Sequence, residues 1–267
     1  INSIKISNSY KIDISRHFLY YVKIYFFLNN TNNIKKKYLF HKMKKHILFS
    51  FRRCPFAIRA RWAIKMCGLE VEIREIDLKN KPSELIKNSV SKTVPLLILN
   101  NGEVIEESLD IIIWSLKNSQ KKNYIEKYFK KSNREIILEI IHENDHIFKY
   151  HLDRFKYASR FNPNEKEFHF KKSQEFLEKL NITLCQSNKN TWLIGDQESI
   201  ADWSIWPFVR QYKIACDSQK ILDYFDEPIE FWYKYFSRHE TFKFVMFKYN
   251  IWKPSSPVET FPKDLDF

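Results

Sequence analysis

Hydrophobic and polar positions are arranged in short blocks between residues 45 and 116, and the period changes from block to block. Apolar or alternating runs typical of strands are followed by stretches in which apolar residues recur every three or four positions, as in helices. The predicted order is βαβαββα: a strand at Lys45–Ser50, a helix from Cys54-Pro55 to Gly68, a strand through Val71, Ile73 and Glu75, a short helix at Pro82–Ile86, strands at Val94–Leu99 and Glu103–Ile105, and a helix through Ile111–Leu116.

Turn-forming and capping residues support these boundaries. Pro55 lies in the first helical turn, where its missing N–H costs nothing, and Gly68 suits the end of the same helix. Asn100-Asn101-Gly102 predicts a hairpin turn, and Ser108 is predicted to cap the following helix. We therefore assign residues 43–119 to an α/β domain.

Helical periodicity dominates the second half of the chain. Residues 120–132, rich in Lys, Asn and Ser, are interpreted as a linker, residues 133–252 as an all-helical domain, and residues 253–267 as an irregular, proline-rich tail. Ser199-Ile200-Ala201-Asp202, preceded by Gly195-Asp196, has the pattern of a capping box with Asp in the place of Glu. The predicted helices are Arg134–Phe161, Glu167–Gln186, Ser199–Cys216, Leu222–Phe236 and Glu240–Tyr249.

The first 42 residues differ in composition from the rest. They hold eight Lys or Arg and one acidic residue, Asp13, so more than half of the net charge of +13 lies in them. Their commonest residues, Ile, Lys, Asn, Tyr and Phe, share codons rich in A and T, and Met43 directly precedes the first strand pattern. We therefore expect the native protein to begin at Met43, with the preceding segment absent or disordered.

Two alternatives for this segment are a targeting or membrane segment and a folded extension. Its apolar run His17–Leu28 contains Lys23 and is shorter than the ~20 residues that a transmembrane helix needs. It also lacks a nearby small-residue cleavage site of the kind that ends a signal peptide. A peptide from residues 1–42 in the mass spectrum of the natural protein would exclude a start at Met43.

Composition excludes several classes of protein. Of the 267 residues, 44% are hydrophobic and 16% are aromatic, which is incompatible with a mostly disordered chain. A nucleic-acid-binding module would rest on charge alone, because no RNA-binding motif accompanies it. Four cysteines in a chain of this length, none in a CxxC pair, do not suit a secreted disulfide-rich protein. We expect a cytoplasmic protein without nucleic-acid or membrane partners.

Cys54 is the candidate for a reactive residue. It follows a predicted strand and opens a helix, where free N–H groups and the helix dipole favour a thiolate. Arg52, Arg53 and Arg59 add positive charge nearby, and such surroundings are typical of a nucleophilic cysteine. The alternative is a buried cysteine that acts only as a small hydrophobic side chain.

The order of several motifs resembles the cytosolic glutathione transferase family. Cys54-Pro55-Phe56-Ala57 after a strand, Leu78–Pro82, Val94-Pro95 and Glu107-Ser108 are similar to the glutathione-binding half, most of all in the omega class and related bacterial cysteine-type enzymes. The capping box at Ser199–Asp202 extends the resemblance into the second half. It implies an N-terminal thioredoxin-like domain followed by an all-helical domain, with glutathione as co-substrate and a possible homodimer.

The resemblance also implies a role for each matching residue. Pro95 would follow a cis bond and turn the Val94 backbone toward the cysteinyl unit of glutathione. Ser108 would bind the γ-glutamyl carboxylate and Glu107 the γ-glutamyl ammonium. The other residues assigned to the glutathione pocket are Lys81, for the glycyl carboxylate, and Phe56 and Leu78, which would line it. The simpler alternatives are a plain helix cap at Glu107-Ser108, a solvated charge at Lys81 and a trans proline at position 95.

Ala57 occupies the position at which a dithiol enzyme would have its second cysteine. Cys67 is thirteen residues after Cys54 on the same helix, roughly 19 Å away at 1.5 Å per residue, which is beyond disulfide reach. We therefore expect a monothiol cycle. Ser50 lies too early on the first predicted strand for its hydroxyl to take the place of the Cys54 thiol. The expected reactions are deglutathionylation and reduction of dehydroascorbate-like acceptors; the alternatives are conjugation of electrophiles and a non-catalytic binding module.

An acceptor pocket is expected between the two domains. By family likeness Tyr157, Trp206 and Phe208 are candidates for its lining, although aromatic residues at helical spacing are more often core residues. His142-Glu143-Asn144-Asp145-His146 formally matches the HExxH pattern of zinc proteases. No third ligand is evident, so we expect no metal.

Overall fold

The computed structural model describes residues 45–186, 192–221 and 225–264. The segment 1–42, the expected start at Met43 and the predicted helix start at Leu222 lie outside the described residues. Residues 42–267 form one compact unit, so the contacts between its two halves are described together.

A five-stranded mixed sheet forms the base of the first half. The strands lie in the order β4-β3-β1-β2-β5, with β1 and β2 parallel and the other neighbours antiparallel. The five strands are β1 (Ile47–Ser50), β2 (Val71–Glu75), β3 (Leu96–Ile98), β4 (Val104–Ile105) and β5 (Glu259–Phe261). The α/β fold of the first half is therefore confirmed, with one additional strand from the C-terminal end.

Helices cover this sheet and form the second half of the chain, as predicted. The α-helices are α1 (Pro55–Met66), α2 (Ser83–Asn88), α3 (Ser108–Asn118), α4 (Tyr124–Tyr128), α5 (Arg134–Glu143), α6 (Lys149–Lys156), α7 (Lys166–Gln186), α8 (Ile200–Ser218), α9 (Glu227–Arg238) and α10 (Glu240–Val245). None of the helices in the described part of the chain has the length and apolar character needed to cross a bilayer.

Helix α1 is buried on almost every side, which fixes the position of its first residue. It packs against α3 on the sheet side and against α8 and α10 of the helical half. Trp62 is fully buried, and its ring lies 5.0 Å from that of Trp206 on α8. A helix packed in this way cannot shift without disturbing both halves. The N-terminus of α1 is therefore a rigid place for a reactive side chain.

Four of the predicted segments differ from the structure. The linker contains α4, and the predicted helix Arg134–Phe161 is α5 and α6 joined by a π-helical turn at Asn144–Phe148. The predicted helix from Leu222 is described from Glu227, with Pro228 in its first turn, and the last helix ends at Val245. Apolar spacing alone does not reveal a single extra residue in a helical turn or a frayed end.

The prediction of an irregular tail was wrong for residues 259–261. They form β5, which pairs antiparallel with β2, and Phe261 is fully buried opposite Val71. The nearby prolines weaken a strand pattern, but at a sheet edge a missing N–H is tolerated. The tail therefore closes the sheet beside β2.

The capping box at the start of α8 is present as predicted. Oδ2 of Asp202 accepts from the N–H and Oγ of Ser199, both at 2.9 Å. Oδ1 accepts from Leu193 N–H at 3.0 Å and from Nε1 of Trp232 on α9 at 2.9 Å. One buried carboxylate thus connects the start of α8, the loop before it and α9.

Glu198, beside this box, predicts a pH-dependent stability. Burial raises the pKa of Glu198 to about 7, and the nearby Asp202 carboxylate adds to this rise. Nε1 of Trp203 donates to Oε1 of Glu198 at 2.6 Å and opposes it. Because the pKa of Glu198 in the folded protein exceeds its ordinary value of 4.5, the unfolded chain loses this proton first as the pH rises. The stability that Glu198 contributes is therefore complete below pH 4.5 and is lost as the pH rises to 7. Glu198→Gln keeps the acceptor for Trp203 and removes the charge.

We expect Glu198→Gln to be more stable than the original chain at pH 8, by about 2 kcal/mol or less after solvent screening, and similar to it near pH 4.5. Urea unfolding at both pH values measures the difference. The same difference at both pH values would contradict the assignment of the charge to Glu198.

Candidate active site

Cys54 occupies the N-cap position of α1. Its N–H donates to Phe51 O at 3.0 Å, and its carbonyl accepts from Ile58 N–H at 2.8 Å. The side chain is partly exposed, and Sγ donates to Val94 O at 3.7 Å. The Val94-Pro95 peptide bond is cis. The thiol therefore faces the backbone segment that the sequence pattern assigns to glutathione.

The electrostatic surroundings of Cys54 differ from the expectation. Burial raises the pKa of Cys54, and this outweighs the backbone N–H groups of Ala57 and Phe56 and the charges of Arg61 and Lys149, all of which lower it. Burial thus opposes the thiolate that the position of Cys54 favours, while the surrounding N–H groups and cations favour it.

The cations whose charges act on the Cys54 thiol are not the expected Arg52, Arg53 and Arg59. Arg59 donates both terminal nitrogens to the Asp145 carboxylate, at 2.8 and 2.7 Å, so its charge is balanced. Arg61 and Lys149 are the residues whose charges lower the pKa of the thiol, and Lys149 is itself paired with Asp153. Sequence reasoning missed Lys149 because it belongs to the helical half, and nothing local connects it with position 54.

A buried network fixes the loop that leads to Cys54. Arg61 donates Nη2 to Arg52 O at 2.7 Å and Nε to Val245 O at 3.0 Å, and it also donates to Oγ of Ser50. The Arg52 N–H donates to Oε1 of Glu75 at 2.6 Å. Burial lowers the pKa of Arg61 to about 10, so it stays charged at neutral pH. Ser50 is fully buried as well as engaged in this network, so its hydroxyl is not accessible in place of the Cys54 thiol.

Ser108 and Glu107 do not cap α3 as predicted. Glu107 occupies the N-cap position with its side chain exposed, and Ser108 is the first helical residue. The Ser108 hydroxyl is buried and accepts from Nε of Arg59 at 2.9 Å. The capping prediction was therefore wrong, because Arg59, far away in sequence, approaches the hydroxyl.

Lys81 and the segment before Val94 are connected by a hydrogen bond. The Lys81 ammonium donates to Lys92 O at 2.8 Å, two residues before Val94. Pro95 is buried and continues into β3, whereas Leu78 is 43% exposed at the surface. Lys81 is thus held beside the backbone segment that faces Cys54, rather than extended into solvent.

Glu106 holds the same segment and was missed by the sequence analysis. Its carboxylate accepts from the N–H groups of Val90 and Ser91, both at 3.0 Å, and from the hydroxyls of Ser89 and Ser91 at 3.0 and 2.7 Å. Partial burial alone would raise its pKa, but these donors together lower the pKa of Glu106 to about 2. The carboxylate is therefore charged throughout the useful pH range.

The three aromatic candidates for the acceptor pocket lie in different environments. Trp206 is fully buried between the rings of Trp62 and Phe236, as is typical of a core residue. Phe208 is also fully buried, but its ring lies 4.9 Å from that of the half-buried Phe56. Tyr157 is half-buried at the end of α6, beside Arg160.

A dithiol site is absent from the described residues. In the described part of the chain none of the four cysteines, Cys54, Cys67, Cys185 and Cys216, forms a disulfide, and burial raises the pKa of Cys67 to about 12. Within the described ranges no group of three or more His, Cys, Asp or Glu side chains could hold a metal ion. In the HExxH-like segment, the rings of His142 and His146 stack on each other at 4.0 Å.

Comparisons with known proteins agree with this architecture. Sequence profiles of the N-terminal and C-terminal domains of glutathione S-transferases match residues 48–122 and 146–243. Glutathione S-transferase omega-1 of Mus musculus is 27% identical over 167 residues, which are 61% of this chain and 65% of the mouse protein. The chain thus spans just under two thirds of that relative's length.

Solved structures show the same fold. The tau class glutathione S-transferase MiGSTU from mango, Mangifera indica, superposes with a TM-score of 0.65 at 20% identity, over 76% of this chain and 93% of that one. Ure2p in complex with glutathione superposes with a TM-score of 0.65 at 16% identity, over 75% and 98%. From the fold and both domain profiles, the chain belongs to the glutathione S-transferase family.

Proposed function

We propose that this protein transfers glutathionyl groups between thiols, with Cys54 as the nucleophile. The observation that carries the proposal is the position of the Cys54 thiol, at the start of a buried helix and 3.7 Å from Val94 O. The nearby N–H groups of Phe56 and Ala57 and the Arg61 and Lys149 cations favour its anion. This combination suits a thiolate that forms during reaction rather than before it.

The proposed cycle has two disulfide exchanges. The Cys54 thiolate attacks the glutathionyl sulfur of a mixed disulfide, the old S–S bond breaks, and the acceptor leaves as a thiolate that takes up a proton. A second glutathione, as thiolate, then attacks the glutathionyl sulfur on Cys54, releasing glutathione disulfide and the Cys54 thiolate. The second step needs free glutathione, because Ala57 offers no resolving thiol and Cys67 is buried.

Glutathione is proposed to lie along the segment before β3. In this arrangement the Val94 backbone pairs with its cysteinyl unit, Ser108 and Glu107 bind the γ-glutamyl end, and Lys81 binds the glycyl carboxylate. Phe56 and Leu78 would flank the tripeptide. The hydrogen bond from Lys81 to Lys92 O supports this placement, since it brings the ammonium to the same segment.

Conjugation of electrophiles is a second candidate, favoured by the raised pKa of Cys54. A neutral S–H can donate a hydrogen bond to the thiolate of bound glutathione, as a hydroxyl does in conjugating transferases. Cys54→Ser would retain this donor but not the redox chemistry. Conjugation of a model electrophile that survives this substitution, together with no measurable thiol transfer by the original chain, would favour the second candidate.

Peptide mass spectrometry after incubation with glutathione disulfide tests the proposal. We expect one glutathionyl group on Cys54, added at a rate that rises about tenfold per pH unit from pH 6 toward the ordinary thiol pKa of 9.0. Cys185 is exposed but outside the site, so Cys185→Ser is the control and is expected to leave the rate unchanged. Labelling confined to Cys185, or a rate that is independent of pH, would contradict the proposal.

We also propose a cytoplasmic, homodimeric protein. The free cysteines suit a reducing compartment, in which glutathione is abundant as the thiol. The dimer rests on family likeness. Light scattering of the purified chain tests it, and a monomeric mass would overturn it.

A further inference from the structure

Glu106 connects the two parts of the chain that the proposed placement assigns to glutathione. It directly precedes Glu107-Ser108 at the start of α3, and its carboxylate binds the segment Ser89–Ser91, which ends three residues before Val94. We infer that Glu106 is a positioning residue that fixes the Val94 backbone relative to the γ-glutamyl end of the site. The inference rests on the proposed function, since it takes glutathione to lie along the segment before β3.

Hydrogen bonds hold the middle of this segment, which has little apolar packing. The residues between the buried Ser89 and the buried Val94 are all exposed, and Val90 is 92% exposed. An apolar side chain left in water contributes no burial that could anchor a loop. The Glu106 carboxylate instead accepts one hydrogen bond at Oε1 and three at Oε2, all from residues 89–91. Hydrogen bonds to an ionised group are stronger than neutral ones, so loss of the carboxylate should release the segment.

The backbone of Lys92 shows why the segment needs this support. Its φ is 54°, in the left-handed region that a residue with a side chain adopts only at a cost in energy. The Lys92 N–H donates to the Ser89 hydroxyl oxygen at 2.7 Å, and that hydroxyl donates in turn to Oε2 of Glu106 at 3.0 Å. Lys81 donates to Lys92 O at 2.8 Å. Without the Glu106 carboxylate this chain of hydrogen bonds is broken, and Lys92 would relax toward an ordinary conformation.

The orientation of Val94 determines how many contacts glutathione can make. Its N–H and C=O are the proposed partners of the cysteinyl unit, and Val94 O lies 3.7 Å from Sγ of Cys54. A relaxation at Lys92, two residues earlier, would shift these groups relative to Ser108. Because one ligand spans both points, such a shift weakens binding even when each binding group is intact. We therefore expect Glu106 to act on the affinity for glutathione rather than on the chemistry of Cys54.

Calorimetry with S-methylglutathione, which has no free thiol, tests the inference independently of Cys54 chemistry. In Glu106→Gln one amide oxygen replaces two carboxylate oxygens, so the N–H groups of Val90 and Ser91 cannot both keep their acceptors. We expect the affinity to fall roughly tenfold and hydrogen exchange to accelerate in residues 89–94. Glu103→Gln is the matched control: it removes the same charge from an exposed position just before β4 and should leave both measurements within about twofold.

Glycine at position 92 separates positioning from a general loss of stability. Glycine adopts a φ near 54° without the cost that a side chain brings. Adding Lys92→Gly to Glu106→Gln should therefore restore the affinity to within about threefold of the original value. Steady-state turnover of a glutathione mixed disulfide gives a second measure, in which Glu106→Gln should raise KM and leave kcat almost unchanged.

Three outcomes decide between the alternatives. Unchanged affinity in Glu106→Gln, with or without faster exchange, would make the carboxylate merely structural and overturn the inference. A loss of affinity that Lys92→Gly does not reduce would also overturn it. If the original chain itself did not bind S-methylglutathione, the proposed placement of glutathione would fail, and the inference with it.

Discussion

Cys54→Ser is expected to lower the turnover of a glutathione mixed disulfide by about three orders of magnitude or more, as for loss of a covalent nucleophile in other enzymes. Serine keeps the size of the side chain and a donor for Val94 O, so the fold and the glutathione pocket should be unaffected. A hydroxyl cannot form or release a mixed disulfide. Steady-state rates of glutathione-dependent reduction measure the loss.

Two comparisons make that result specific. Cys185→Ser removes an exposed thiol outside the site and should retain the full rate. The affinity of Cys54→Ser for S-methylglutathione should be similar to that of the original chain. Turnover by Cys54→Ser within tenfold of the original rate would contradict the role of Cys54.

Asp202→Ala is expected to lower the free energy of unfolding by about 3–5 kcal/mol. The carboxylate is fully buried and accepts four hydrogen bonds, and its removal leaves the Leu193 N–H and Trp232 Nε1 buried without these partners. Urea unfolding measures the loss. The effect should be on stability rather than on the affinity for glutathione, because Asp202 lies in the helical half, at the start of α8.

Two further substitutions serve as comparisons for Asp202→Ala. Asp202→Asn keeps Oδ1 for Leu193 and Trp232 but turns an NH2 group toward Ser199, so a smaller loss is expected. Asp196 is exposed nearby, and Asp196→Ala should change stability by less than about 0.5 kcal/mol. Equal losses for Asp196→Ala and Asp202→Ala would show that the capping network contributes little.

Much of the fold could be predicted from local patterns. The strands β1 and β2, the start of α1 at Pro55 and the capping box at Ser199 all depend on signals within a few residues. Strand β5 could not be predicted, because a three-residue edge strand is specified by its pairing with β2 across the chain. The π-helical turn leaves no distinctive mark in the apolar spacing.

The candidate site was predictable only in part, for the same reason. Motifs along the chain led to Cys54, Val94 and Ser108. The side chains that set their chemistry are distant in sequence: Lys149 acts on the thiol, and Asp145 balances Arg59. Burial raises the pKa of Cys54, whereas its polar neighbours lower it, and the extent of burial depends on how the whole chain packs. Sequence patterns thus led to Cys54 as the candidate nucleophile, but not to the direction in which its pKa is shifted.

A crystal structure of the protein soaked with glutathione disulfide tests directly whether Cys54 is the nucleophile. We expect a glutathionyl sulfur bonded to Sγ of Cys54 at about 2 Å, with the cysteinyl backbone paired to Val94 and the γ-glutamyl carboxylate at Ser108. Glutathione bound in this pocket with its sulfur directed away from an unmodified Cys54 would contradict the role of Cys54 as the nucleophile.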